Sequence, residues 1–218
     1  VSMISSAGST ALGPSIVDIV TDDGSLSAAH ARRMMQPGAS GRDLADAVHA
    51  FCSLHGTAPS IVALAGAAIA DAGVRMWLGD AALAFDQERE RLIALTVAIG
   101  PIPSTPGQTE ATTTIIGQRH ALATLARSDR LGCATGAALA FLADWQRIRP
   151  MFDAAAERAG TPIAPSTLPR LADIARIADR AATTPAAERA MRFGAQQLVA
   201  QHRGLWHLLD ARASARTD

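Results

Sequence analysis

Apolar residues in this chain recur at intervals of three and four, and the glycines and prolines that interrupt them fall at helix-length spacings. β-branched residues are sparse, and no segment carries a strand pattern that rises above the helical one. The 218 residues suit one domain with a core large enough to need no staples. The pattern therefore predicts an all-α, single-domain bundle of about six to eight helices, with no period that marks a repeat array. Forty-eight residues are alanine, so large apolar side chains are fewer than the hydrophobic fraction suggests. Such a core is expected to rest on closely spaced helices with thin side chains.

Helix boundaries follow from caps and breakers. Residues 1–25 are rich in Ser, Gly and Thr without a sustained period, and are expected to be extended or mobile, with Ile16 to Val20 able to dock on the body; residues 26–218 are expected to form the domain. Ser25 or Ser27 caps a short helix over 28–35, and Ser40 caps the next, which Gly56 ends. Thr57 and Pro59 begin a helix running to about Gly73. Long helices are predicted at about 79–99, 108–127, 130–159 and 184–213, with Pro150 bending or ending the third. Ser166 or Thr167 caps a further helix to Ala182. The spacing of Gly132 and Gly136 suits close helix packing.

Composition removes whole classes of chemistry. The chain has no lysine, tyrosine or asparagine, and all 20 basic residues are arginine. A lysine Schiff base, a phosphate-loop lysine, a phenolic acid or base and an N-glycosylation acceptor are all excluded. A G/C-rich bacterial genome accounts for the bias, since the missing residues use A-rich codons. The formal charge is zero, which argues against a nucleic-acid footprint or a polybasic membrane surface. Cys52 and Cys133 sit in no C-x-x-C and read as small buried hydrophobes. The N-terminus has no basic n-region, and the longest apolar run, Ile61 to Ala70, is too short to span a bilayer. A cytoplasmic protein with no membrane contact is expected.

Four predicted long helices each place one metal-compatible polar residue on an apolar stripe: Glu88, His120, Asp144 and His202. Inward carboxylates and imidazoles are how ferritin-like di-metal bundles build their sites. Here the similarity stops, because the chain contains no Glu-x-x-His and only five glutamates. A single metal with fewer ligands stays open as a cofactor. The alternative is a satisfied core in which inward polar groups pair with one another or with arginine. His202 and His207 are five apart, about 140° around a helix, and do not chelate together. His49 and His55 are six apart, the second at a helix end, and are equally weak; His30 is expected to be exposed. No G-x-S-x-G, G-x-G-x-x-G or H-E-x-x-H occurs.

Residues Leu44 to Gly56, with Ala47, Phe51, Leu54 and Gly56, resemble the first helix of a TetR-type repressor over about a dozen positions. That resemblance implies an all-helical transcription regulator. Thr57 to Ala72, where a recognition region would follow, holds no basic residue to contact bases or phosphates. The leading expectation is instead a non-catalytic binding or assembly protein, taking a small apolar ligand between helices or a helical partner such as a second copy in a homodimer. The second is a helical-bundle enzyme, metal-dependent in one form, working through Glu88, His120, Asp144 and His202.

Overall fold

A computed structural model describes residues 12–216. Among them lie nine α-helices, one 3-10 turn and no strand: α1 (Leu12–Asp23), the turn Ser25–Ser27, α2 (Ala29–Met34), α3 (Gly41–His55), α4 (Ile61–Ala68), α5 (Ala72–Ala98), α6 (Gln108–Ala126), α7 (Cys133–Arg158), α8 (Leu171–Ala181) and α9 (Pro185–Ser214). Eight correspond to the helices read from the sequence. The ninth, α1, is a helix where the sequence suggests an extended or mobile segment, and it docks through the Ile16 to Val20 stretch that the sequence allows to do so. Ile16 and Val20, one turn apart, are fully buried, and α1 packs on α7, α8 and α9. Tertiary burial of two large side chains thus fixes a helix that local propensity leaves unmarked. Residues 1–11 lie outside the described residues.

The parallel pair α7 and α9, which meet at Gly132 and Ala187, at Gly136 and Met191, and at Asp144 and His202, forms the axis of the bundle. Gly136 of α7 lies so near the backbone of α9 that an added Cβ would fall 1.9 Å from the Met191 carbonyl oxygen. Gly194 answers from α9, where an added Cβ would fall 2.0 Å from the Cys133 carbonyl oxygen. Two facing glycines therefore set the closeness of the helices, and α7 is buried without a break from Cys133 to Trp145. That burial also explains why, of the bend or end expected at Pro150, the end does not occur and α7 runs on to Arg158. Ile148, Met151, Phe152 and Ala155 are buried on either side of the proline, and their packing outweighs one lost backbone hydrogen bond.

Local caps and contacts move several boundaries. Ser60 Oγ accepts from the Ala63 amide and starts α4 four residues after Thr57. Asp71 Oδ1 accepts from the Val74 amide at 2.8 Å, so α5 begins at Ala72, well before the Gly79 expected. Asp71 is also held by Arg180 of α8, a tertiary partner that no local pattern marks. α8 begins only at Leu171. The chain before it is pinned through its carbonyl groups, at Ala164 by Arg149, at Pro165 by Arg91 and at Pro169 by Gln146. Across the bundle, Arg212 of α9 forks onto Asp46 of α3, with Nε and Nη2 each 2.8 Å from a carboxylate oxygen. None of the described helices is long and apolar enough to cross a membrane.

Candidate functional site: a buried Ser–Asp–His–His line

Asp144 sits in the middle of α7 with no exposure to solvent. Its carboxylate accepts three hydrogen bonds. The Ser25 amide donates to Oδ1 at 2.8 Å, the Ser25 hydroxyl to Oδ2 at 2.5 Å, and His202 Nδ1 lies 2.6 Å from Oδ2. The approach is close enough to demand glycine at position 24, where a Cβ would fall 2.6 Å from Asp144 Oδ1. His202, on α9, is also fully buried, and its Nε2 lies 2.9 Å from Nε2 of His55 at the end of α3. A single line of hydrogen bonds therefore joins Ser25, Asp144, His202 and His55, drawn from four separate elements.

Aromatic rings enclose this line. Phe141 lies 4.8 Å from His55 between ring centroids, Phe51 lies 5.7 Å from His202, and Trp145 meets His55 edge-on. In such apolar surroundings a charge on imidazole is costly. Burial first, and the neighbouring His202 second, hold His55 well below the usual imidazole value. A carboxylate that only accepts fixes a proton on Nδ1 of His202. With His202 neutral, its bare Nε2 then requires His55 to donate from Nε2. Among the described residues no hydrogen bond reaches Nδ1 of His55.

His55 ends at a cavity of about 260 Å³ between the α3–α4 connection, α4, α5, α6 and α7. Leu54, Leu64, Phe85, Leu122 and Phe141 give it an apolar lining; Arg119, His120 and Arg127 stand along α6.

The four inward positions read from the sequence thus separate into three situations. Asp144 and His202 meet directly. His120 is exposed rather than inward, although it lines the cavity that His55 reaches; α6 buries only Ala111, Leu122 and Ala126, so its stripe toward the body is narrow. Glu88 is buried elsewhere, as a satisfied carboxylate. Arg91 Nη1 donates to it at 2.8 Å, Arg149 Nε lies 3.3 Å away and Trp145 Nε1 3.5 Å away. It lines a different cavity, of about 200 Å³, under residues 161–164. No group of three or more His, Cys, Asp or Glu side chains among the described residues is placed to hold a metal ion.

Two members of the line escaped the sequence. His55 lies seven residues after Val48 and four after Phe51, both buried, so helical spacing did carry a signal for it. Its place at a helix end made that signal look weak. Ser25 read only as a cap, and nothing local says that its hydroxyl meets a residue 119 positions away. His30, expected to be exposed, is buried beneath Trp206, with Nδ1 3.4 Å from Asp210.

Residues 20–217 match the model of a family of unknown function, DUF6975. The chain belongs to that family. The match takes in every member of the Ser–Asp–His–His line. Neither a curated protein nor a solved structure matches the chain.

Proposed function

We propose that this DUF6975 member binds a small, largely apolar molecule in the cavity beside α6 and that His55 accepts a proton from it. The observation that carries the reading is the unbroken hydrogen-bond line from Asp144 through His202 to His55, ending at that cavity. A satisfied core has no need to end a charged relay at a void. The reading keeps the small ligand of the binding hypothesis and adds acid–base chemistry drawn from two of the four inward residues.

The steps balance as follows. The bound molecule gives a proton to Nδ1 of His55, and the proton already on Nε2 of His55 moves to Nε2 of His202. The positive charge comes to rest on His202, beside the Asp144 carboxylate, rather than on His55, where burial opposes it. Asp144 keeps its charge and orients the ring, as the carboxylate of a catalytic triad does. Ser25 holds Asp144 in place through two hydrogen bonds.

The test uses 4-nitrophenol, whose neutral and ionised forms absorb at different wavelengths. At a pH below the phenol's own pKa, the wild-type protein is expected to produce a saturable phenolate band, and H55Q is expected to lose it. A protein that leaves the phenol spectrum unchanged, or an H55Q variant that responds as the wild type does, overturns the reading.

A further inference from the structure

The ionised side chains that line the His55 cavity are both guanidinium groups. The protein as a whole carries 20 acidic and 20 basic residues, yet no Asp or Glu lines this cavity, while Arg119 and Arg127 do. Most arginines of the bundle are spent on carboxylates or on backbone carbonyl groups, as Arg212, Arg149 and Arg180 are. Arg119 makes no such contact among the described residues, and Arg127 reaches only a carbonyl of its own helix, Ala123, at 3.4 Å. Arg119, Ala123 and Arg127 follow one another at intervals of four along α6, so the two guanidinium groups flank a position whose side chain is a single methyl. Across from them the first turn of α4 contributes Ser60 and Ile61 to the lining, and a helix N-terminus carries partial positive charge. A neutral His55 adds no opposing charge. Beneath this polar rim the lining is apolar.

We infer that the ligand of this cavity is an amphipathic carboxylic acid, its carboxylate held by Arg119 and Arg127 and its hydrocarbon body against Phe85, Phe141 and Leu64. The inference rests on the proposed ligand site and names the chemical class it takes. Guanidinium and carboxylate match as planar, two-pronged partners, which favours this anion over a spherical one. The volume sets the size. About 260 Å³ equals roughly nine water volumes at ~30 Å³ each, which suits a molecule of about ten non-hydrogen atoms. An acid arriving protonated gives its proton to the His55–His202 pair, and the resulting carboxylate remains with the arginines.

The experiment compares octanoate, octan-1-ol and octylamine, which share one hydrocarbon body, by calorimetric titration of the full chain at neutral pH. Octanoate is expected to bind roughly tenfold more tightly than the alcohol, the equivalent of one charge-assisted hydrogen bond, and the amine more weakly than either. Both arginines are on the exposed side of α6, so the double variant R119Q/R127Q keeps the fold. It is expected to bind acid and alcohol equally. Alcohol or amine binding as tightly as octanoate overturns the inference, and so does a preference for the acid that survives in R119Q/R127Q. A failure confined to this inference leaves the nitrophenol response of His55 intact. Loss of that response as well removes the proposed acid–base site with it.

Discussion

Replacing Asp144 by alanine takes the acceptor from three buried donors at once: the Ser25 amide, the Ser25 hydroxyl and His202 Nδ1. The hydroxyl can rotate toward another partner. The amide is fixed by the backbone of the 3-10 turn, and the imidazole is fixed by packing against Phe51 and Phe141. Two stranded donors at about 1–3 kcal/mol each, with the void left by the carboxylate adding on the order of 1 kcal/mol, come to about 5 kcal/mol. Single domains have about 5–15 kcal/mol to lose, so D144A is expected to sit at the edge of folding. Asparagine keeps the shape and still accepts from the Ser25 amide. Its NH₂ group then faces His202, which can answer by moving its proton to Nε2. D144N should therefore cost about 1–2 kcal/mol. The same tautomer change makes His202 donate to His55, which puts the remaining proton of His55 on Nδ1 and should abolish the phenolate response. Urea unfolding followed by tryptophan fluorescence measures both costs, because Trp145 and Trp206 are fully buried. A D144A protein within about 1 kcal/mol of wild type, or a D144N protein as unstable as D144A, refutes the account of the line as a set of satisfied buried donors.

Two further outcomes follow from the same structure. Gly136→Ala places a methyl group on the Met191 backbone, which cannot yield as a flexible side chain does; a loss of about 3 kcal/mol or more is expected in the same unfolding assay, and an unchanged midpoint would show that α7 and α9 can separate freely. His55 and His30 are both held below the usual imidazole value, chiefly by burial, with His202 and Arg33 respectively as the next cause. The unfolded chain therefore takes up more protons than the folded one once the pH drops below about 6.5. Stability should fall from there toward acid, by up to about 1.4 kcal/mol per pH unit for each of the two imidazoles, and the double variant H30Q/H55Q should flatten that slope; a midpoint that does not move between about pH 7.5 and 5.5 contradicts this origin.

The helices and half of the candidate site were legible in the sequence for the same reason. Apolar periodicity shows which face of a helix is turned inward, so a polar residue on that face stands out, and Asp144 and His202 both did. The inward face of α6 is too narrow to make His120 a core residue, and Glu88 is paired with Arg91 and Arg149. Ser25 and His55 lie at element ends, where periodicity gives little leverage. Arg119 and Arg127 gain meaning only from the acids that are missing around them, a property of a surface and not of a segment.

Local rules within about a turn of helix determine that this chain is all-α, where most of its helices run, and that lysine, tyrosine and asparagine chemistry is closed to it. Which polar groups meet was decided by the packing of α7 on α9 and the docking of α3 beside them. The partners in the line are separated by 119, 58 and 147 residues, distances over which a hydrogen bond leaves no trace in local spacing. Tertiary structure also decided that α1 is a helix at all, since the burial of Ile16 and Val20 against other helices supplies what the segment's own composition does not.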